Sequence, residues 1–380
     1  MQEIINLGII GGGMMGREMA SAAARWCHLV DFPVKPVVTS VASRTEKSCR
    51  WFTDNISSVR FASADYRRLL ERSDVDAVYC AVPHNLHRQI YVDVIRSGRH
   101  LLGEKPFGMD AADNKAILDA LIEHPSVTAR CVSQFPFFPG AQRIVRAIRE
   151  NRFGRIIEVE AGFLHGSDLD PEKPINWKRI VETNGEYGCM GDLGMHVLHV
   201  PLRFGWYPAA VHAVLSNIRP ERKNSTGEWV TCDTWDNATL LIEVKAPAGS
   251  FPMTLKFQRI APGETNTWYL NVIGDRYSAR FSLKQPRTLR TLSYEPGGPQ
   301  AWMHEDLGYA SVYPAITGGI FEFGFADAVQ QMLGAFLHRV HVGQSAEVPF
   351  DCATPEETRL HHSILTAALQ SHKERKVVAL

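Results

Sequence analysis

A short glycine-rich segment near the start of the chain constrains the fold more than any other feature. The apolar run Ile4–Ile10 is followed at once by GGGMMG at residues 11–16, and then by an amphipathic stretch at residues 17–26. A strand, a G-x-G-x-x-G turn and a helix in this order are typical of a dinucleotide-binding βαβ unit. The pattern therefore predicts a parallel sheet and a nucleotide phosphate at the helix N-terminus.

Each residue of the glycine motif has an expected part in binding. Gly11 permits the tight turn, Gly13 lets the backbone approach a pyrophosphate, and Gly16 lets the helix pack closely on the strand. Met14 and Met15 lie between these glycines and are expected nucleotide contacts. The alternative is a glycine turn that binds nothing, but the order of strand, motif and helix favours a bound nucleotide.

The rest of the first third repeats this alternation of apolar and amphipathic segments. Apolar runs at residues 37–42, 75–82, 100–103 and 127–133 are predicted strands. Buried parallel strands are apolar throughout, and right-handed crossovers between them give a doubly wound α/β domain. We expect this dinucleotide-binding domain to span residues 1–134.

The sequence pattern changes after Gly154. Long, often β-branched runs predict a large, mostly antiparallel open sheet from strands at residues 155–163, 209–218, 239–244, 253–259 and 268–273. Helices are predicted at residues 190–204, 321–340 and 355–374, the last opened by a capping box of Thr354 and Glu357. Residues 277–319 show no clear period and are interpreted as loops and irregular strands. We expect residues 135–380 to form one α+β domain for substrate binding and oligomerisation.

Charge and cysteine usage exclude several classes of protein. The 41 basic residues equal the 41 acidic ones, so no overall field attracts nucleic acid or an anionic membrane. The seven cysteines never form C-x-x-C, so neither a disulfide framework nor a thiolate zinc site is expected. No apolar stretch approaches the ~20 residues that cross a bilayer, and the first residues do not resemble a signal peptide. We expect a cytoplasmic protein with a small-molecule substrate.

The end of the second predicted strand bears on the choice of nucleotide. NAD-binding domains usually carry an acid there, whereas this chain has Ser43 and Arg44. A hydroxyl and a guanidinium can receive a 2′-phosphate, and no carboxylate repels it. This predicts NADP rather than NAD as the cofactor. The alternative is an Arg44 that stacks on the adenine, which is compatible with NAD.

Three further motifs follow in order: VPHNLH at residues 82–87, GEKP at 103–106 and GDLGMH at 191–196. Together with the glycine motif they resemble the glucose-fructose oxidoreductase, inositol dehydrogenase and rhizopine-catabolism family, abbreviated Gfo/Idh/MocA. The resemblance spans roughly residues 4–205 by motif. It implies an N-terminal Rossmann domain and an NAD(P)-dependent oxidoreductase that acts on a secondary hydroxyl of a sugar, anhydrosugar or cyclitol.

The resemblance also implies which residues carry the chemistry. In the family, the lysine of E-K-P and the acid and histidine of D-x-G-x-H face the nicotinamide, which corresponds to Lys105, Asp192 and His196. An imidazole suits the removal of a hydroxyl proton, so His196 is the expected general base. Lys105 would stabilise alkoxide charge, and Asp192 would orient His196 or hold a neighbouring hydroxyl. The remaining implied nucleotide contacts are Pro83, Asn85, His87, Glu104 and Gln134.

Other interpretations of these residues stay open. Asp192 could cap the helix, His196 could be a core histidine, and Lys105 could be a surface lysine. A zinc site is also conceivable, because Cys189, Asp192, His196 and His199 have spacings that converge on one helix face. No other residue supports such a site, and the family ordinarily needs no metal, so we expect none.

The expected substrate is an uncharged polyol or sugar. Aromatic faces and paired hydrogen-bonding groups suit a pyranose or cyclitol ring. Pro136 stands where many family members have an arginine, which removes one contact to an anionic substrate. The pair His361 and His362 is expected at a solvated helix surface. The expected substrate contacts are His165, Trp177, Lys178, Asp192, His196 and His199.

Two other functions remain as alternatives to the dehydrogenase. One is a glycosidase that oxidises its sugar transiently with a tightly held nicotinamide cofactor, and the other is a nucleotide-sensing regulator. The presence of Lys105, Asp192 and His196 together argues against the regulator, because a sensor needs no base. We expect a homo-oligomer, dimer or tetramer, because a sheet face without helices exposes apolar surface.

Overall fold

The computed structural model of the protein describes residues 2–246 and 249–380. The strands in these residues are β1 (Glu3–Ile10), β2 (Val34–Ala42), β3 (Phe61–Ser63), β4 (Ala77–Cys80), β5 (His100–Gly103), β6 (Ala129–Cys131), β7 (Ile156–Leu164), β8 (Tyr207–Ser216), β9 (Glu221–Lys223), β10 (Trp229–Thr231), β11 (Asn237–Ala246), β12 (Gly249–Gln258), β13 (Thr267–Gly274), β14 (Tyr277–Ser282), β15 (Thr288–Ser293), β16 (Met303–Asp306) and β17 (Val378–Ala379). The helices are α1 (Met14–Ala24), α2 (Glu46–Asn55), α3 (Tyr66–Leu70), α4 (His87–Arg96), α5 (Ala111–Glu123), α6 (Pro139–Arg149), α7 (Val181–Asn184), α8 (Cys189–Arg203), α9 (Phe325–Val342) and α10 (Pro355–Glu374).

The chain forms two compact units, and their composition differs from the predicted division after residue 134. The first unit comprises Met1–Phe137 and Tyr309–Thr358, and the second comprises Phe138–Gly308 and Arg359–Leu380. The difference arises because α9 packs against α1 and β2 of the nucleotide-binding sheet. The Gln330 amide on α9 donates to the carbonyls of Ala22 and Arg25, at 3.1 and 2.8 Å.

The first unit contains the predicted doubly wound parallel sheet. Its six strands lie in the order β3-β2-β1-β4-β5-β6, and every neighbouring pair is parallel. The order reverses direction beside β1, the point at which ligands of such sheets bind. β2 begins at Val34, three residues before the predicted start, so Pro36 lies inside a strand.

Residues 309–358 are joined to the parallel sheet by a buried ion-pair cluster. Asp351 accepts two hydrogen bonds from Arg130, at 3.2 and 3.0 Å, and one from Arg339 at 2.8 Å. All three side chains are at most 8% exposed. Arg130 also donates to the carbonyl of Ala129, and Arg339 to that of Gly343. These bonds help to compensate the cost of burying the two guanidinium groups.

The second unit contains the predicted large sheet. Its nine strands lie in the order β16-β15-β14-β13-β7-β12-β11-β8-β17, and only β7 and β12 pair in parallel. Residues 277–319, predicted as loops and irregular strands, contain the regular strands β14, β15 and β16. These strands form because each pairs with its neighbour outward from β13, which a single-sequence pattern does not reveal.

The two faces of this sheet differ in polarity. One transverse row consists of Val211, Ile242, Met253, Val159 and Val272, all at most 1% exposed. Helix α8 packs over this face, and its residues from Cys189 to Leu202 are all buried. The opposite face leaves Val214 and Leu241 about half exposed, at 48% and 54%. This exposed apolar surface is the feature on which the expected homo-oligomer rests.

Replacing Asp351 with alanine is expected to destabilise the first unit by about 3–5 kcal/mol, because two buried guanidinium groups would lose their carboxylate. Chemical denaturation of wild type and variant measures this free energy of unfolding. The control is Asp119→Ala, which removes an exposed ion pair with Lys115 and should change stability by at most about 0.5 kcal/mol. Equal losses in the two variants would contradict the assigned role of Asp351.

Candidate functional site

The glycine loop after β1 has the backbone shape that nucleotide binding requires. Gly11 has φ of +112°, and a Cβ there would lie 2.1 Å from the carbonyl oxygen of Ala81. A Cβ on Gly16 would lie 2.1 Å from the carbonyl oxygen of Gly11. Side chains are therefore excluded at both positions, because the loop approaches the neighbouring strand and its own helix too closely.

Gly13 differs from the other two motif glycines because it faces open space. A Cβ on Gly13 would meet no atom within 4 Å. Helix α1 begins at Met14, directly after Gly13, three residues before the predicted start. Met14 is 74% exposed and Met15 is partly buried. The N-terminus of α1 therefore begins beside open space, and an anion bound there stays a prediction.

The residues at the end of β2 have different surroundings. The hydroxyl oxygen of Ser43 accepts a hydrogen bond from the backbone N–H of Gly12 at 3.1 Å. Arg44 is exposed, and Thr45 after it caps α2. Ser43 therefore supports the glycine loop. Of these two residues, only Arg44 is exposed.

His87 connects two loops of the first unit. Its ring nitrogens lie 2.8 Å from the carbonyl oxygen of Pro106 and 3.0 Å from that of Val82, and the ring stacks on Tyr91. Burial lowers the pKa of His87 to about 4. The ring thus serves the fold, and a side-chain contact of His87 with the nucleotide stays a prediction. In the same segment, Pro83 is partly buried and Asn85 is exposed.

The E-K-P segment follows the carboxyl end of β5. Glu104 is 8% exposed, and its carboxylate accepts a hydrogen bond from the hydroxyl of Tyr79 at 2.7 Å. The backbone carbonyl of Glu104 accepts one from the hydroxyl of Tyr91 at 2.8 Å. Burial raises the pKa of the Tyr79 hydroxyl well above its usual value, and the nearby carboxylate adds to this shift. Lys105 is partly exposed and is joined to Pro106 by a cis peptide bond. Two buried tyrosines therefore hold Glu104, the residue before Lys105, one through its carboxylate and one through its backbone carbonyl.

The segment after β6 offers polar atoms for a cofactor. The Oγ of Ser133 and the Oε1 of Gln134 are buried, and neither has a hydrogen-bond partner among the described residues. A buried polar atom without a partner is costly, and a ligand can supply the missing bond. Together with the open space at Gly13, these atoms fit a nicotinamide dinucleotide. Gln134 is one of the predicted cofactor contacts.

In the second unit, Asp192 lies inside helix α8 and does not cap it. The helix begins at Cys189 after Gly188, whose φ of +56° favours glycine. Asp192 is in the first turn, 1% exposed, and no side-chain cap forms at this terminus. Asp192 and His196 are separated by one helical turn and share a face, as predicted from their spacing.

Asp192 belongs to a buried charge cluster whose centre the sequence analysis did not identify. Lys178 donates to its two carboxylate oxygens at 2.8 and 3.1 Å, and Arg259 donates to one of them. Arg259 also donates to Asp168 at 2.9 Å, and Lys173 lies 3.0 Å from Asp168. We name these five residues the charge cluster. Its two carboxylates are at most 2% exposed, so their charges depend on these partners.

A sequence signal for Arg259 exists in strand β12. The buried positions of this strand alternate as Phe251, Met253, Leu255 and Phe257, and Arg259 continues the series. An arginine at the next inward position of an apolar strand must find a buried carboxylate partner. The alternation therefore indicates a buried charge near the end of this strand, although it does not identify the partner.

In the charge cluster, burial and the neighbouring charges act in opposite directions on the pKa values of Asp168 and Arg259. Burial disfavours ionisation of Asp168, but Arg259 and Lys173 outweigh it and hold the pKa of this carboxyl at about 2. Burial and the two carboxylates also act in opposite directions on Arg259, and the carboxylates raise its pKa. His165 has a pKa lowered to about 4, first by burial and then by the charges of Arg259 and Lys178. The His165 ring is therefore neutral at neutral pH.

The predicted base and its aromatic surroundings also lie in the second unit. His196 is 3% exposed, and its backbone carbonyl accepts a hydrogen bond from the indole of Trp268 at 2.8 Å. The ring of Phe163 lies edge-on to His196 at 5.5 Å and 4.4 Å from the ring of His165. Trp177 is partly buried, 5.5 Å from the Lys178 ammonium. The structure thus groups five of the six predicted substrate contacts, all but His199, with the charge cluster or with Phe163.

His199 and the pair on α10 have other surroundings. His199 is fully buried, and Arg203 donates to its Nε2 at 3.0 Å, so its substrate contact stays a prediction. The expectation of a solvated surface for His361 and His362 is wrong, because both are at most 1% exposed. A Cβ on Gly194 would lie 2.6 Å from the Nε2 of His361, so this face of α10 packs closely on α8.

In residues 2–246 and 249–380, no group of three or more His, Cys, Asp or Glu side chains could hold a metal ion. Within the same ranges, no helix is long and apolar enough to cross a membrane.

The parallel sheet and its glycine loop place the chain in the class of NAD-binding α/β proteins. The chain matches the oxidoreductase family with an NAD-binding Rossmann fold over residues 5–129, and the GFO/IDH/MocA C-terminal domain over residues 141–280. The two matches together cover most of the chain. The protein belongs to the Gfo/Idh/MocA oxidoreductase family, as the motifs predicted.

Two relatives of the chain are named as a levoglucosan dehydrogenase and a 1,5-anhydro-D-fructose reductase. The levoglucosan dehydrogenase of Pseudarthrobacter phenanthrenivorans is 28% identical over 229 residues, 59% of this chain and 57% of that protein. The 1,5-anhydro-D-fructose reductase of Ensifer adhaerens is 30% identical over 190 residues, 50% and 53% of the two chains. The matches thus span about half the length of these relatives. A solved levoglucosan dehydrogenase with NADH and levoglucosan shares the fold, with a TM-score of 0.87, 22% identity and 99% coverage of each chain.

The depressed pKa of His87 predicts a pH dependence of stability. Between pH 6.5 and about 4 the unfolded chain binds a proton at His87 that the folded chain does not, so folding stability falls with decreasing pH. The whole loss from this group is about 3 kcal/mol. His87→Gln should show a correspondingly flatter decline, measured by urea unfolding at several pH values. His304→Gln changes an exposed histidine and should leave the wild-type slope; the same slope in His87→Gln would contradict the prediction.

Proposed function

We propose that the protein oxidises a secondary hydroxyl of a sugar, anhydrosugar or cyclitol, or reduces the matching ketone, by hydride transfer with a nicotinamide nucleotide. One observation carries this proposal. Asp192 and His196 lie one turn apart on a fully buried helix, and two cations hold the carboxylate in place. A core helix does not need a paired acid, two cations and an imidazole for packing, so this arrangement favours chemistry over a purely structural role.

The proposed proton transfer involves His196. Removing the hydroxyl proton while hydride leaves carbon needs a base, and an imidazole with an ordinary pKa of ~6.5 suits this at neutral pH. Lys105 would donate to the same oxygen and stabilise its developing negative charge. Asp192 would hold His196 or a neighbouring hydroxyl. A bound nicotinamide nucleotide would supply the hydride acceptor.

The proposed substrate class follows from the polar groups beside the charge cluster. Lys178 is 30% exposed and donates to Asp192, so a charged donor lies at the edge of the cluster, where a substrate hydroxyl would interact with it. The neutral ring of His165 can donate or accept, and Trp177 offers an apolar face for C–H groups. The names of the two relatives, which concern an anhydrosugar and an anhydroketose, support this class.

The experiment measures reduced nucleotide when the purified protein meets inositols, aldoses and anhydrosugars, with NAD and NADP in separate reactions. We expect reduction with at least one cyclic polyol. His196→Ala should lower kcat by about 10²–10⁴-fold while nucleotide affinity stays within threefold of wild type, because the base acts only in the chemical step. His304→Ala, an equal change on the exposed strand β16, should leave both unchanged.

Three outcomes would contradict the proposal. An equal loss of nucleotide binding in His196→Ala would mean that this histidine is structural. Release of an aglycone from a glycoside without net nucleotide reduction would favour the glycosidase instead, and bound nucleotide without any turnover would favour the regulator.

We propose NADP as the preferred nucleotide, supported by the exposed guanidinium of Arg44 and by the absence of an acid at the end of β2. Arg44→Ala should weaken NADP binding by about tenfold or more, because a charge-assisted bond to the 2′-phosphate is lost. NAD binding should change by less than about threefold. Fluorescence titration of the reduced nucleotides measures both. Tighter binding of NAD than NADP by the wild type would contradict the proposal.

A further inference from the structure

We propose that Arg259 is a positioning residue that holds Asp192 in place by linking the first turn of α8 to the loop after β7. The effect on catalysis rests on the proposed function, in which Asp192 acts beside the base. The link itself rests only on the structure. Arg259 follows β12, and its guanidinium donates to Asp192 and to Asp168.

The geometry of the guanidinium suits this task. Its Nε and one terminal nitrogen donate to the two oxygens of Asp168, at 2.9 and 3.4 Å, and the other terminal nitrogen donates to Asp192. A planar fork of donors therefore fixes two carboxylates relative to each other. A lysine at position 259 has a single ammonium and would not reproduce both contacts in one plane.

Arg222 holds the loop that carries Asp168 through hydrogen bonds to its backbone. Arg222, 1% exposed, donates to the carbonyl oxygens of Asp168, Asp170 and Lys173. The backbone N–H of Asp168 donates to the carbonyl of Arg259 at 3.0 Å. These bonds fix the position of the Asp168 carboxylate. Because Arg259 binds both carboxylates, the position of Asp168 also constrains that of Asp192.

The two cations that donate to Asp192 differ in their exposure to solvent. The Arg259 side chain is 7% exposed, whereas that of Lys178 is 30% exposed. The Arg259 guanidinium is therefore more enclosed by the protein than the Lys178 ammonium, and it also donates to Asp168. Among the described titratable groups, the neutral ring of His165 and the thiol of Cys189 also interact with Asp192. Without Arg259, the carboxylate would lose the less exposed of the two cations that donate to it.

The test compares Arg259→Gln and Arg259→Lys with wild type. We expect Arg259→Gln to lower kcat by about 10- to 100-fold, the effect of a misplaced catalytic group, with nucleotide affinity unchanged. Its kcat/KM should also fall more steeply at acid pH than that of wild type, because a buried carboxylate with fewer cations protonates more readily and this loss adds to the protonation of the base. The decline of kcat/KM at acid pH in Arg259→Lys should lie between those of Arg259→Gln and wild type. In an Asp192→Asn background, Arg259→Gln should change kcat less than threefold, because both act through one carboxylate.

The matched control is Arg339→Gln, which removes another buried arginine from an ion pair with aspartate, in the first unit. It should lower the unfolding temperature and leave kcat and the pH profile as in wild type. Arg259→Gln with the same thermal loss, a wild-type kcat and a wild-type pH profile would overturn the proposal. Should Arg259→Gln fail to fold, a wild-type pH profile and kcat in Arg259→Lys would overturn it.

A structural readout separates this proposal from the proposed function. Crystal structures of wild type and Arg259→Lys should show the Asp192 carboxylate and residues 165–173 in different positions. Unchanged positions would overturn the positioning role, whatever the activity. If the wild type turns over no polyol, the proposed function fails, and the comparison of these structures still decides the role of Arg259.

Discussion

The arrangement of the second unit depends on one buried arginine between two carboxylates. Charges taken out of water are costly unless they are paired in good geometry, and removing one partner leaves an uncompensated charge. Arg259 therefore constrains both the loop after β7, through Asp168, and the first turn of α8, through Asp192. The depressed pKa of Asp168 is a consequence of this pairing, whereas burial is the main cause of the lowered pKa of His165. The proposed chemistry of His196 takes place one helical turn from this constraint.

The nucleotide half is organised differently, by backbone shape rather than by paired charges. Gly11 and Gly16 are required where side chains would collide with carbonyl groups, and Gly13 leaves space for a ligand. Several polar side chains near this loop hold the fold: Ser43 holds the loop, and His87 bridges two carbonyls. Such contacts preorganise the surroundings of a phosphate and a nicotinamide, so little reorganisation is needed on binding.

Much of the fold could be predicted because the decisive signals are local. The strand–glycine–helix order, the apolar runs of the parallel sheet and the capping box of Thr354 and Glu357 each involve neighbouring residues, and the cap forms as predicted. The errors concern long-range packing. Residues 277–306 contain three strands because β13 offers an edge, residues 309–358 join the first unit through contacts that include Asp351, and His361 is buried where Gly194 leaves space for it. None of these partners is visible from local period.

The sequence by itself determined the nucleotide-binding fold, the family and the pairing of Asp192 with His196 on one helix face, because spacing along the chain sets which residues share a turn or a face. Only the tertiary structure decided which charges surround Asp192. Arg259 lies 67 residues away along the chain, and no local pattern specifies that contact. The choice follows from burial: a carboxylate and a guanidinium removed from water must find each other, and the packing of α8 on β12 determines which ones meet.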